Sequence, residues 1–182
     1  MVASLNQGFF GHCRRRTWVV DMNARKDQID IRPAHSGDIP ALVSVINQAF
    51  AIEKFLDGTR TDEERLAATM REGVLLLAER DGQTLACVYV ELRGKRAYFG
   101  MLAVDPARQG QGLGSLMTDA AEQYGRNHSC KYMDISVLSL RPELLPFYRN
   151  LGYQETGIEE FRPSRPLKGN VSCHCIVMSK PL

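Results

Sequence analysis

From about residue 29 onward, apolar and polar positions follow two periods, one of a strand and one of a helix. "IDIRPA" (29–34) alternates as a short strand. "SGDIPALVSVINQAF" then places Ile39, Leu42, Val43, Ile46, Ala49 and Phe50 at helical spacing, with Asp38 or Ser36 as cap. "AIEKFLDGTR" breaks both periods with mixed charges, Phe55 and Gly58, and reads as a loop or short helical turn. "TDEERLAATMREG" sets Thr61 three residues before Glu64, a capping-box spacing, and stops at Gly73.

Three strands follow. "VLLLAE" (74–79) turns at Asp81-Gly82 into "TLACVYVEL" (84–92), and "RGK" turns into "RAYFGMLAV" (96–104), which predicts an antiparallel meander. The next helix runs from about Gly112 to Asn127 with Leu113, Leu116, Met117, Ala120, Ala121 and Tyr124 as its buried stripe. "KYMDISVL" (131–138) is a further strand, so a strand–helix–strand passage implies parallel pairing. "PELLPFYRNLGY" makes a short helix ending near Gly152, with Pro142 and Pro146 near its start. "YQETGI" and "CHCIVMSK" close the chain as two strands. The pattern predicts one mixed α/β domain over 29–182, preceded by a tail or extension over 1–28.

Composition narrows the class. With 182 residues, 44% hydrophobic and 24% charged, the chain has ordinary globular proportions. No stretch approaches the roughly 20 apolar residues that span a bilayer. Net charge is +2, but residues 1–28 hold Arg14, Arg15, Arg16, Arg25 and Lys26 against Asp21 and Asp27, which leaves the remainder at −1. A body of that charge is not expected to bind nucleic acid. The five cysteines cannot all pair, and none lies in a C-x-x-C spacing. Cys173 and Cys175 flank His174, but residues two apart in a strand share a face, so they read as small side chains packing inward rather than as metal ligands. Reduced thiols point to a cytoplasmic protein, and "RRRTWVV" followed by Asp21 lacks the continuous apolar run of a secretory signal.

"RQGQGLG" (108–114) joins a strand to a helix with three glycines. A P-loop requires lysine after its last glycine, and Ser115 stands there. A dinucleotide fingerprint requires a third glycine at 115 and a βαβ unit, and has neither. Two readings remain level on the glycines alone. One is a backbone nest whose N–H groups meet an anion at a helix N-terminus, with Arg108 as clamp. The other is close approach of helix and sheet.

"MLAVDPARQGQGLGSLMTDAAE" with its Gln109-x-x-Gly112-x-Gly114 spacing resembles the acetyl-CoA signature of the GNAT acetyltransferase superfamily. "PFYRNLGYQETG" resembles that family's later Y-x-x-x-G-[FY] segment. The resemblance covers some 150 residues and implies an α/β (α+β) fold: a mostly antiparallel mixed sheet of about seven strands, about four flanking helices, and a V-shaped splay between the fourth and fifth strands. It implies that an acetyl group passes from acetyl-CoA to a primary amine by direct attack through a tetrahedral intermediate, with no metal. A non-catalytic acyl-CoA-binding module is the alternative.

The resemblance also implies roles. Arg108, Gln109, Gly110, Gln111, Gly112, Leu113, Gly114 and Ser115 would hold the pyrophosphate, and Leu102, Ala103 and Val104 the pantetheine arm. The Leu102 amide would face the oxyanion. Tyr148, which the residues alone read as a core aromatic, aligns with the family's general acid. Glu91 or Glu53 is the candidate base. Arg141 stands where many relatives have an asparagine that contacts CoA. Glu53, Phe55 and Arg60 are the expected acceptor residues, for a small-molecule or peptide amine, with a homodimer as the protein assembly left open.

Overall fold

The computed structural model describes residues 28–162, 166–169 and 171–182, so all but the last residue of the predicted 1–28 tail lies outside the described residues. Seven strands form one sheet: β1 (Asp30–Pro33), β2 (Val74–Arg80), β3 (Gln83–Arg93), β4 (Arg96–Val104), β5 (Tyr132–Leu138), β6 (Gln154–Glu160) and β7 (His174–Pro181). Their order is β1-β2-β3-β4-β5-β7-β6, antiparallel throughout except for the parallel β4–β5 pair. The four α-helices are α1 (Ile39–Ala49), α2 (Glu63–Glu72), α3 (Leu113–Asn127) and α4 (Leu144–Asn150).

Both faces of the central strands are covered. Leu75, Leu77 and Cys87 pack with Leu42 and Ile46 of α1 and Leu66 of α2. Leu76, Ala78 and Val88 pack on the other side with Leu113, Met117 and Ala121 of α3. Strands buried on two faces read as apolar runs rather than as alternation, which is why "VLLLA" looks as it does. Asp81 and Gly82 both have positive φ, as a two-residue hairpin turn requires.

One helix start follows expectation and the other differs from it. Asp38 stands at the N-cap of α1, as expected, without a side-chain cap bond to that helix; its carboxylate accepts the His35 N–H while the His35 ring accepts the Gly37 N–H, a reciprocal box around the 3₁₀ turn Ser36–Asp38. Asp38 is engaged by Arg32, which also grips Glu79, and that guanidinium holds the Asp38 carboxyl down to about 2. At α2 the Asp62 side chain accepts the Arg65 N–H. Thr61 is instead buried and tied through its backbone to Asn47 of α1. At α2 the neighbouring Asp62 is better placed than Thr61 for the first free N–H.

The seam between β4 and β5 closes at one end only. Pairing covers Arg96↔Tyr132, Ala97↔Met133 and Tyr98↔Asp134, where Arg96 donates to Asp134 at 2.5 and 2.6 Å and to Ser179 at 2.8 Å. Beyond Tyr98 the strands part. On its other side β4 carries a bulge: Cys87 faces Ala103 and Tyr89 faces Gly100, so Met101 and Leu102 together oppose Val88. Met101 has φ +50°, a conformation non-glycine residues seldom hold. The bulge bends β4 where the sheet must open.

Candidate active site

The opening between β4 and β5 is a cleft of about 570 Å³. Leu102 and Val104 of β4 line one wall, and Ile135, Ser136, Val137 and Leu138 of β5 the other. Arg108, Gln109, Gly110, Gly112, Leu113, Gly114 and Ser115 form one end. Glu53, Arg60, Arg141 and Tyr148 also face the cleft.

The glycine segment answers its two readings separately. Gly110 and Gly112 have φ +77° and +80°, and an added Cβ would meet nothing within 4 Å at either. Conformation, not space, demands glycine there. At Gly114 an added Cβ would press on Phe147 of α4 at 3.3 Å, so that glycine permits close approach of helices. Gly112 is the N-cap of α3, and the first helical bond is Leu116 N–H to the Gly112 carbonyl. Among the described residues, the backbone N–H groups from Gln109 to Ser115 donate to no protein acceptor. Consecutive unused donors at a helix N-terminus, with Arg108 beside them, suit an anionic ligand.

Tyr148 sits on α4 with 8% of its surface exposed, against Phe99, Phe147 and Tyr153. Its hydroxyl makes no hydrogen bond among the described residues. Burial pushes its pKa up to about 12, with Tyr98 adding to the rise and Arg141 opposing it. The hydroxyl therefore keeps its proton at neutral pH.

The two candidate bases part company. Glu53 is buried, faces the cleft and meets Arg141 at 3.4 Å. Glu91 lies outside the cleft, bound by Arg93 at 2.8 Å, and that hydrogen bond holds its carboxyl below the usual range. Arg141 also meets Glu143 at 2.5 Å.

Other expected residues fall outside the lining. The Ala103 side chain is buried in the α1 core, and Gln111 is exposed beside the loop. Phe55 is half-buried and offers its carbonyl to the Lys168 N–H, whereas Phe50 lines the cleft. Cys175 lines it too, so the expected inward packing of the cysteine pair fails: Cys173 precedes β7, and Cys175 faces the notch that the splay opens beside β5. The loops around Phe55 and Leu167 are joined by a Leu56↔Leu167 bridge. Tyr98, Phe161 and Met101 were not visible as site residues. The sequence carried no signal for them, because strand divergence and a bulge exposed them.

The site is thus a mixed sheet split at a bulged strand, with unused amides at the helix that follows. The model of the acetyltransferase (GNAT) family matches residues 41–153, and the chain belongs to that family. No curated protein matches the chain in sequence.

Solved structures share the fold at low identity. The ribosomal-protein-S18-alanine N-acetyltransferase of Escherichia coli is 18% identical, with a TM-score of 0.68 over 85% of this chain and 94% of that one. A ribosomal-protein-alanine N-acetyltransferase of Brucella melitensis is 21% identical, with a TM-score of 0.68 over 84% and 99%. The yncA protein of Salmonella typhimurium, solved with its cofactor acetyl-CoA, is 20% identical, with a TM-score of 0.66 over 84% and 93%. Among the described residues no helix is long and apolar enough to cross a membrane.

Proposed function

We propose that the protein transfers an acetyl group from acetyl-CoA to a primary amine by direct attack. The observation that carries this reading is the convergence of unused amides, a bulged strand edge and the Tyr148 hydroxyl on one cleft. Acetyl-CoA supplies a thioester, an acyl group activated by its thiol leaving group. The amides from Gln109 to Ser115, with Arg108, hold its phosphates. Leu102 to Val104, on the free edge of β4, hold the amide-rich arm as an added strand would be held.

The Leu102 N–H, re-aimed by the bulge, steadies negative charge on the carbonyl oxygen. Tyr148 donates a hydrogen bond to the departing sulfur. With its pKa raised to about 12 against roughly 8.5 for a free thiol, it favours holding the proton in that bond over giving it up. Glu53 is the carboxylate that lines the cleft among the described residues, and it receives the amine and the proton that the amine sheds.

Thiol release from acetyl-CoA with a panel of amines tests the reading. Tight CoA binding without turnover of any amine would sink it. Gly112→Asp sets a carboxylate beside the anion site and strains a φ of +80°, so it abolishes CoA binding measured by calorimetry. Unchanged affinity removes the anion-site argument.

A further inference from the structure

Two arginines line the cleft near Glu53, and their surroundings differ. Arg141 is engaged by Glu53 at 3.4 Å and by Glu143 at 2.5 Å. Arg60 stacks on the Phe50 ring, 4.7 Å from its centroid, and among the described residues its guanidinium has no hydrogen bond or ion pair. Stacking engages the face of the guanidinium and leaves its in-plane N–H groups available.

The position is fixed from behind. Asn47 of α1 donates to the Thr61 carbonyl at 3.0 Å and accepts the Thr61 N–H at 2.9 Å, which locks the residue after Arg60. A half-buried guanidinium without a counter-ion is held at a cost in free energy, and an oxyanion arriving with the ligand offsets it. With Arg141 already matched by carboxylates, Arg60 is the unmatched cation of this end of the cleft among the described residues.

Resting on the acetyltransferase reading above, we propose that Arg60 is a specificity residue and that the acceptor is a small amine bearing a carboxylate, as an amino acid does. The Arg60 fork takes the carboxylate and Glu53 takes the amine. One planar fork suits the two oxygens of a carboxylate, whereas phosphate sites gather several donors. A second cationic group on the acceptor meets Arg60 and is repelled.

The test measures thiol release from acetyl-CoA for amino carboxylates, their neutral amides, ethanolamine phosphate and a diamine. The expected order puts amino carboxylates first and the diamine last. Arg60→Gln should raise KM for the carboxylate substrates by about tenfold or more, with kcat and the acetyl-CoA KM little changed, and erase their advantage over amides. Arg60→Lys should restore part of it. Amides turned over as well as carboxylates, or a preference that survives Arg60→Gln, overturns this proposal while leaving the acetyltransferase intact. Preference for ethanolamine phosphate overturns the carboxylate. Absence of turnover with every amine, CoA still binding, overturns the acetyltransferase reading and this one with it.

Discussion

The molecule holds two clusters of similar chemistry, each with a tyrosine, a buried carboxylate and cationic side chains, one around Glu122 and one around Glu53. Under α3, Glu122 is 2% exposed and accepts from Tyr153 at 3.0 Å, from Lys180 at 2.8 and 2.9 Å, and from Arg126 at 2.9 Å. In the cleft, Glu53 meets Arg141 at the longer distance of 3.4 Å, and the Tyr148 hydroxyl bonds to no described residue. Tyr148 and Tyr153 are five residues apart, with rings 6.0 Å from each other. The Glu122 cluster ties α3 to the turn after α4 and to β7. The cleft cluster faces open space where a ligand fits, and its Tyr148 hydroxyl bonds to no described residue. The difference lies in the tyrosine hydroxyls: that of Tyr153 is taken up by Glu122, whereas that of Tyr148 is open to a ligand in the cleft.

The largest effect expected from this contrast is at Glu122. Glu122→Gln removes the charge that Lys180 and Arg126 share, and should cost about 3 kcal/mol of stability. For a chain of this size that lowers Tm by roughly 6–12 °C in a thermal melt. Activity per folded molecule should hold, and a loss of kcat without a loss of Tm would break the division between the clusters. Next comes Tyr148→Phe, which should lower kcat about 10²-fold, close to 2.7 kcal/mol, while Tm and CoA affinity stay near wild type.

Because the Tyr148 pKa is raised to about 12, the wild-type rate should not fall on the alkaline side through ionisation of this hydroxyl until pH approaches that value. A fall near pH 10 would place the hydroxyl in an unshifted environment. The smallest effect belongs to Tyr153→Phe. It removes one of several bonds to Glu122 and should cost about 1.5 kcal/mol, with kcat unchanged. Equal kinetic losses in the two tyrosine variants would erase the contrast.

The sequence carried the order of elements because the periods of burial are written locally. Leu42 and Ile46, or Leu113 and Met117, lie on one helical face wherever that helix packs. It also carried the glycine loop, since positive φ at Gly110 and Gly112 is a demand of the backbone itself. The caps were harder. Asp38 and Thr61 both have suitable side chains, but nearby Arg32 engages the Asp38 carboxylate, and Asn47, 14 residues away, holds the Thr61 backbone.

What only the tertiary structure decided is which polar side chains meet and which stay open. Glu53 and Glu91 are equal as letters, but Glu91 has Arg93 on its own strand while Glu53 is carried into the cleft by the loop after α1. Tyr148 and Tyr153 share one short segment, and a few residues of chain direct one toward Glu122 and the other toward the notch. The notch itself comes from β4, bulged at Met101 and released from β5 after Tyr98. Local preference sets the elements, because it depends on neighbours in the chain. A site depends on groups brought together across the fold, with their hydrogen bonds counted after they meet.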